Sequence, residues 1–425
     1  MNTTCTAIVT FLLAITSTLH ADQKINAIRG AKILNPAGTG WLEDRVVQII
    51  DGRIAAIDTA ATQPVQPGES TINAAGLMLI PGLIDLHSHL LLHPYNEATW
   101  NDQVLKESLE LRTIRGVVAA RNTLEAGFTM LRDLGTEGAG FADVALRDAI
   151  AQQMIPGPRL FVATRAIVAR GCYGPAGFDS RWDIPQGAQE INGTDSARAA
   201  VREQIAAGAD WIKVYADYRR GRDAQATPTL SQAELDAIVD ESRSAGRKVS
   251  AHAGTDAGIA RAIQAGVSTI EHGYGATDQT LIKMNAAGIV LCPTLAAAEA
   301  VARYAGWDGN EPAPPRVIES RASFSRALAA GVTIANGSDV GVFPHGDNIR
   351  ELELMTRAGM TPTRALQAAT TTAAAVLGRE RTEGRIDVGF AADLVLVRGD
   401  PLGDIRALRN VVMVLQRGTI VLDRR

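Results

Sequence analysis

Six polar residues of types suited to metal chemistry stand at the ends of short apolar runs: His87, His89, Lys213, His252, His272 and Asp339. His87 and His89 are two positions apart, so in a strand their side chains point to the same face and can share one cation. A His-x-His pair alone is weak evidence, because two close histidines often occupy a solvated strand end. The pattern nevertheless predicts a metal site, since the other four residues are placed in the same way.

The chemistry expected of such a site is metal-assisted hydrolysis. Imidazole and carboxylate ligands suit zinc, which lowers the pKa of a bound water to about 7. Two ions about 3.5–4 Å apart can hold a hydroxide between them while one ion polarises a scissile carbonyl. Asp339 would take the proton from the bridging water as a general base and pass it to the leaving amine as a general acid.

Each residue also has a purely structural interpretation. Lys213 at a strand end is compatible with an ordinary salt-bridged lysine, and Asp339 with a cap of the following segment. His252 or His272 alone would more often be a hydrogen-bonded core histidine. The placement of all six at one end of the predicted fold, described next, favours the metal site.

Strands and helices alternate through the central part of the chain. Helical spacing occurs over 230–246, 255–266 and 277–288, with glycine marking the end of each segment. Ser231 is a candidate cap for the first of these helices. Alternation of this kind favours a parallel sheet built from right-handed crossovers.

Eight strands are predicted: residues 83–88, 128–133, 159–165, 210–215, 248–252, 268–272, 289–293 and 332–336. The fold class is therefore α/β, with a (β/α)8 TIM-like barrel over residues 81–380. The six polar residues fall at the carboxyl ends of strands one, four, five, six and eight, where the active site of such a barrel lies.

The two flanks contain short alternating runs broken by glycine and proline. Two separated sets of strands predict a small β-sandwich made from both chain ends, residues 22–80 and 381–425. The barrel would then be inserted in this sandwich.

Two segments resemble the amidohydrolase superfamily: Pro81–His89 is similar to its first-strand signature, and Gly384–Leu394 to its closing segment. The resemblance covers nearly all of the mature chain. The run Trp211–Tyr215, followed by His252 and His272, looks most like the imidazolonepropionase-like peptidase branch. That branch includes Xaa-Pro and other Xaa-amino-acid dipeptidases, N-acyl amino acid hydrolases and ochratoxin-hydrolysing amidases. The resemblance implies hydrolysis of an amide next to a carboxylate.

The resemblance also implies roles for the six residues. His87 and His89 would bind the more buried of two divalent ions, most simply zinc, together with Asp339. His252 and His272 would bind the second ion. Lys213 would be carbamylated by carbon dioxide, which turns an ammonium that cannot ligate into a carboxylate that bridges both ions.

Substrate contacts are predicted at Tyr215, His345, Arg165, Arg170 and Cys172. Tyr215 lies two beyond Lys213 and could donate its hydroxyl to a substrate carboxylate, although packing against a loop is an equal alternative. His345 would line the mouth or be an exposed loop histidine. Arg165 and Arg170 would pair with an acidic ligand or lie on the surface. Cys172 stands where related chains commonly have a Gly-His-Gly, which leaves the substrate preference open.

Composition is consistent with a soluble enzyme. It has 42 basic and 46 acidic side chains, a balance that argues against a nucleic-acid or membrane-surface partner. The expected partner is a small molecule or dipeptide. Barrel enzymes of this kind often form symmetric homo-oligomers, but no interface pattern indicates one here.

The first 21 residues are predicted to be a signal peptide. Ala7 to Leu19 is an apolar run of suitable length, and Ala21 fits a cleavage site, although no lysine or arginine precedes the run. The mature chain is expected to be exported, either periplasmic or secreted, and not held in a membrane. Cys172 and Cys292 would then remain, and the sequence leaves open whether they pair.

Three functions follow from these observations. The favoured one is a binuclear metal-dependent amidohydrolase that cleaves dipeptides or N-acyl amino acids with a free carboxylate, including ochratoxin-like amides. The second is the same machinery acting on cyclic amides, lactones or carbamates. The feature that separates the two is whether a cation or a tyrosine faces the side of the pocket that would hold a substrate carboxylate. The third is a catalytically dead scaffold, which is disfavoured because none of the six residues is missing.

Overall fold

The structure is a computed structural model that describes residues 25–62, 70–179, 181–220 and 225–425. The predicted signal peptide, residues 1–21, lies outside the described residues, so export stays a prediction. Within the described ranges, none of the helices combines the length and apolar character that crossing a membrane demands.

The strands are β1 Ala27–Arg29, β2 Lys32–Leu34, β3 Trp41–Leu42, β4 Arg45–Ile50, β5 Arg53–Thr59, β6 Thr71–Asn73, β7 Met78–Pro81, β8 Leu83–Ser88, β9 Phe128–Asp133, β10 Arg159–Val162, β11 Ile167–Ala169, β12 Gln189–Ile191, β13 Trp211–Tyr215, β14 Asp217–Arg219, β15 Ala226–Pro228, β16 Lys248–Ala253, β17 Thr269–His272, β18 Val290–Cys292, β19 Leu394–Val397, β20 Val411–Gln416 and β21 Thr419–Asp423.

The α-helices are α1 Trp100–Lys106, α2 Leu109–Glu125, α3 Ala142–Ala151, α4 Thr194–Ala206, α5 Gln232–Ser244, α6 Asp256–Ala265, α7 Asp278–Ala286, α8 Leu295–Tyr304, α9 Pro315–Ala329, α10 Ile349–Arg357, α11 Pro362–Ala368 and α12 Thr371–Val376. Short 3₁₀ helices occupy Ala60–Thr62 and Ile405–Arg409.

The central part of the chain is an α/β fold with two parallel sheets. One sheet has the order β10-β9-β8 and the other the order β12-β11-β13-β16-β17-β18. The pairings within both sheets are parallel, because a helix or a long connection joins the successive strands. Seven of the eight predicted strands are confirmed. The short strands β11 and β12, which were not predicted from the sequence, extend the second sheet at its edge.

The eighth predicted strand, residues 332–336, is wrong as a regular strand. This segment makes a single parallel bridge instead, from Ile334 to Leu291, and a second bridge follows from Val340 to Ser88. Its backbone changes partner from one residue to the next. The N–H of Ala335 donates to the carbonyl of Leu291, and the N–H of Asn336 donates to the carbonyl of Ala368. The segment therefore runs between β18 and β8 and hydrogen-bonds to both without forming a continuous ladder with either.

The helices that follow β15, β16 and β17 begin and end where the sequence predicts. Ser231 caps α5 in a capping box with Glu234. The side chain of each residue accepts a hydrogen bond from the backbone N–H of the other. Thr255 and Thr277 cap α6 and α7 with their hydroxyls. Gly266 ends α6 at a φ of 81°, a left-handed conformation in which a side chain would be strained.

The two chain ends meet in a pair of sheets. A four-stranded sheet has the order β5-β4-β1-β6, and a six-stranded sheet has the order β21-β20-β19-β7-β2-β3. The second sheet combines strands from both termini, since Leu394 of β19 pairs with Pro81 of β7. Apolar side chains from both sheets, among them Ile28, Val47 and Met413, share one buried core. Each such side chain contributes about 1.5–3 kcal/mol through burial.

Candidate metal centre

Four of the polar residues predicted to form the site lie at or near the carboxyl ends of parallel strands from both sheets. His87 is in β8, Lys213 in β13, His252 in β16 and His272 at the end of β17. In the register of these strands, Tyr215 is opposite His252 and Ala253 is opposite His272. The strand periodicity therefore brings residues that are far apart in the sequence to one end of the fold.

Asp339 is the point on which the first-strand histidines converge. Its Oδ1 atom lies 3.5 Å from Nε2 of His87 and 3.3 Å from Nε2 of His89. His87, His272 and Asp339 each offer one ligand atom, and the three atoms lie within 4.8 Å of one another. Three donors this close fit a divalent ion such as zinc.

Three of the histidines have their Nδ1 atoms occupied by protein partners. Nδ1 of His87 is 2.8 Å from Glu271, Nδ1 of His89 is 2.9 Å from the carbonyl oxygen of Gly135, and Nδ1 of His272 is 2.7 Å from the Thr294 hydroxyl. Partners at one ring nitrogen fix the ring orientation and leave the other nitrogen free to ligate. The free nitrogen is Nε2 in all three.

His252 is oriented the other way. Its ring centroid is 4.5 Å from that of His272, but its Nε2 atom points towards Asp217, 3.7 Å away. The Asp217 carboxylate is held in place because it accepts hydrogen bonds from the backbone N–H groups of Gly254 and Thr255. Asp217 is therefore a fixed carboxylate close to Nε2 of His252.

The protonation of three of the four histidines suits metal binding. Burial, reinforced by the Lys213 charge, lowers the pKa of His87 to about 4. Burial also lowers the pKa of His252 and of His272 well below the usual value. Neutral imidazole is the form that ligates metals. His89 differs, because hydrogen bonding and charge from Asp339 overcome its burial and raise its pKa to about 9.

Lys213 is buried with 1% of its surface exposed. Burial lowers its pKa, and the nearby carboxylates of Glu271 and Asp339 oppose that shift. An amine must lose its proton before it can react with carbon dioxide, so burial favours carbamylation. The side chain lies 5.8 Å from the ring of Tyr215, two residues along the same strand face. Its chemistry fits a bridging ligand.

A buried ion-pair network lies next to His87. Glu271 accepts hydrogen bonds from Arg132 at 2.9 Å and from the Ser250 hydroxyl at 2.7 Å, on the oxygen that does not face His87. Burial raises the pKa of Glu271, but Arg132 and His87 outweigh it and hold the pKa well below its ordinary value. Glu271 is therefore ionised and keeps the proton of His87 on Nδ1.

A second buried carboxylate fixes the loop that carries Asp339. Asp85 accepts from the backbone N–H groups of His87 and Ser338 at 3.0 Å each, and from the Asn348 amide at 2.8 Å. Asp339 itself adopts a φ of 63°. Backbone strain of this kind persists only where surrounding contacts enforce it, and it is concentrated at functional sites.

Of the predicted substrate residues, the structure places Tyr215 beside the site. Its ring stacks on His252 at 4.4 Å and 14° and contacts Tyr173 at 4.6 Å. Tyr173 in turn donates its hydroxyl to Glu137 at 2.5 Å, and Trp100 donates to the same carboxylate oxygen. An aromatic wall with one buried carboxylate therefore borders the site on this side.

The structure does not bring the other predicted contacts to the site. Arg165 is bound to Glu203 on α4 and lies over the ring of Phe141. The Nε2 atom of His345 is 3.1 Å from the carbonyl oxygen of Leu92. Arg170 is exposed.

Cys172 is buried in the apolar core. Its neighbour Tyr173, and not Cys172, is part of the aromatic wall. Both Cys172 and Cys292 are free thiols.

Several residues that position the ligands were not predicted from the sequence, notably Asp85, Arg132, Glu137 and Glu271. Three of them are charged residues inside apolar strand runs, at Asp85 in β8, Arg132 in β9 and Glu271 in β17. A charged residue in such a run must have a partner when it is buried, so its presence could have indicated a buried ion pair at the site. Glu137 lies in a loop and gave no comparable signal.

Thr294→Ala is expected to weaken zinc binding by about 10- to 100-fold, since partners that orient a ligating histidine typically carry that much of the affinity. The Thr294 hydroxyl is 2.7 Å from Nδ1 of His272. Thr294→Ser keeps the hydroxyl and is the matched control. Competition with a chromogenic zinc chelator measures the affinity, and equal affinities for the two variants would show that the hydroxyl does not orient His272.

A model of the amidohydrolase family matches residues 78–421. The chain belongs to this family. Ochratoxinase from Aspergillus niger is 30% identical to this amidohydrolase over 420 residues, which cover 92% of this chain and 84% of the relative. Imidazolonepropionase from Symbiobacterium thermophilum is 26% identical over 412 residues, covering 88% and 89%. A solved Xaa-Pro dipeptidase with methionine bound in its active site has a TM-score of 0.84 and 31% identity, with 93% and 98% covered.

These similarities show that the amidohydrolase is a hydrolase of amide bonds that acts on small-molecule substrates. They also agree with a TIM-barrel-type architecture for the α/β part. The family is typically metal-dependent, and the cluster of His87, His272 and Asp339 is a group that can bind a metal ion.

Proposed function

We propose that this amidohydrolase uses two divalent ions, preferably zinc, to cleave dipeptides or N-acyl amino acids that carry a free carboxylate. The convergence of His87 and His89 on one oxygen of Asp339, 3.5 and 3.3 Å away, carries the proposal. Such a donor set at the carboxyl ends of parallel strands is suited to metal-assisted hydrolysis.

His87, His89 and Asp339 would hold one ion, and His252 and His272 the other. Lys213, as its carbamate, would contribute an oxygen to each. The bound ions would supply Lewis acidity, which polarises the scissile carbonyl and eases the ionisation of water. His87 and His89 lower the pKa of Asp339 against the effect of burial, which keeps its carboxylate ionised at neutral pH.

Asp339 is the group that we assign to proton transfer. Its carboxylate would accept a proton from the attacking water and then donate it to the nitrogen of the leaving amine. Both steps require one carboxylate held close to the reaction. The hydrogen bonds of Asp85 to Ser338 and to the His87 backbone serve this purpose, because they fix the loop on which Asp339 lies.

The substrate class is supported by the site and by the relatives. Tyr215 and Tyr173 form an aromatic wall beside His252, which suits an amide with an apolar side chain. The similar proteins include an Xaa-Pro dipeptidase and an ochratoxinase. Amides with a carboxylate nearby are therefore the substrates to test first.

We also infer that the two parallel sheets form one closed barrel over residues 81–380. The N–H of Asp210 donates to the carbonyl of Val162 at 2.8 Å on one side, and bridges at Ile334 and Val340 join the sheets on the other. The shared core of the terminal sheets supports a β-sandwich domain formed by residues 22–80 and 381–425.

A substrate panel tests the proposed function. It contains Ala-Pro, other dipeptides, N-acetyl-L-methionine, N-acetyl-L-phenylalanine and ochratoxin-like amides, each incubated with zinc-loaded enzyme. Cyclic amides, lactones and carbamates are included as the competing class. We expect hydrolysis within the first group, followed by release of the free amino acid. Hydrolysis confined to the competing class would contradict the proposal.

A further inference from the structure

Arg316 is an arginine near the candidate site that pairs with no carboxylate among the described residues. Arg316 lies in the first turn of α9, in the part of the chain that follows β18, and its side chain is exposed. Its guanidinium carbon is 5.9 Å from the centre of the Tyr274 ring. Within the described ranges, Arg316 forms no ion pair with a carboxylate.

Tyr274 connects this arginine to the ligand histidines. The Tyr274 ring is 5.6 Å from that of His272, and its hydroxyl donates to the carbonyl of Thr294 at 2.9 Å. Tyr274 is buried, so its ring is fixed between His272 on one side and the guanidinium on the other. Arg316 therefore lies one aromatic ring away from the candidate metal ligands.

The neighbouring arginines are used differently. Arg303, Arg321 and Arg350 all lie within ion-pair distance of Glu299, at 3.0, 3.8 and 2.8 Å. Their charges are neutralised locally in a structural network. Arg316 is on the same helix as Arg321, but its guanidinium lies over the Tyr274 ring.

We propose that Arg316 binds the free carboxylate of the substrate and so selects amides of free amino acids over their uncharged analogues. This inference rests on the proposed function and assigns the group that recognises the carboxylate. A guanidinium binds a carboxylate through two parallel hydrogen bonds, which fixes both its position and its orientation. The aromatic ring of Tyr274 would hold the guanidinium in place when no substrate is bound.

Arg219 is the alternative cation. Its guanidinium carbon is 5.5 Å from the ring of Tyr218, and that ring is 5.8 Å from His252. The observations favour Arg316, because the Arg219 guanidinium already donates to the Tyr218 hydroxyl at 3.5 Å, whereas the Arg316 guanidinium has no hydrogen-bond acceptor among the described residues.

The test compares acids with their carboxamides. Ala-Pro, N-acetyl-L-methionine and N-acetyl-L-phenylalanine are each paired with the C-terminal carboxamide, and kcat and KM are measured separately. For Arg316→Gln we expect the acid-over-carboxamide preference in kcat/KM to fall by about 10- to 100-fold, mainly through KM. Arg316→Lys should recover part of the preference, because it keeps the charge without the planar fork.

Arg321→Gln is the matched control on the same helix. It removes a guanidinium that also lies over an aromatic ring, 5.8 Å from that of Trp307, and it should leave the preference unchanged. If Arg316→Gln keeps the wild-type preference, or if Arg219→Gln loses it instead, the inference is overturned while the proposed function stands. If wild-type enzyme hydrolyses none of the acids, the proposed function fails, and the inference fails with it.

Discussion

Asp339→Asn should give a folded, metal-binding protein whose amide hydrolysis is slower by about a thousandfold, because a positioned proton-transfer group contributes roughly 10²- to 10⁴-fold to a rate. The Asn amide keeps an oxygen that can face His87 and His89, but it cannot accept and return a proton. Asparagine also tolerates the φ of 63° found at this position, so the loop should keep its conformation.

The measurement for Asp339→Asn is kcat together with metal content and thermal unfolding. Asp347→Asn is the matched control, since Asp347 lies eight residues further along, where its carboxylate pairs with Arg409. The control should retain the wild-type rate. A folded, metal-loaded Asp339→Asn variant with near-normal turnover would show that Asp339 does not transfer the proton.

Lys213→Ala should lose the bridging ligand and with it about a hundredfold or more of the hydrolytic rate, since even outer partners of metal ligands are worth 10- to 100-fold. The substitution removes a long side chain from a fully enclosed position and leaves a space among polar neighbours. Added acetate or propionate can place a carboxylate in that space. We therefore expect these acids to restore part of the activity in a concentration-dependent way.

Lys248→Ala is the matched control for this rescue. Lys248 is on the neighbouring strand β16 and lies 5.6 Å from the Trp211 ring, but its amine donates to the carbonyl of Val376. Short acids should not alter the activity of this variant. Full metal content and full activity of Lys213→Ala without added acids would show that Lys213 is not a ligand.

The positions of the metal-ligand candidates could be predicted from the sequence because they follow from local patterns. An apolar run that ends in a polar residue indicates a strand, and parallel strands place their carboxyl ends at one edge of the fold. His87, Lys213, His252 and His272 needed nothing more than this rule. Asp339 was found by the same rule although its segment is not a regular strand.

The substrate side could not be predicted in the same way, because contacts over long sequence separations decide it. Arg165 donates a hydrogen bond to Glu203, 38 residues further along the chain. Tyr173 faces the site where Cys172 was expected, since Glu137 and the neighbouring rings fix its orientation. Arg316 was overlooked because its position depends on how α9 packs beside Tyr274.

The central claim is that hydrolysis depends on ions held by this cluster. The most direct test treats the enzyme with a chelator and then titrates zinc, in the presence of bicarbonate, while the hydrolysis of N-acetyl-L-methionine and Ala-Pro is followed. The proposal predicts no activity without metal and a rise that stops near two zinc ions per chain. Full activity in metal-free protein would contradict the account.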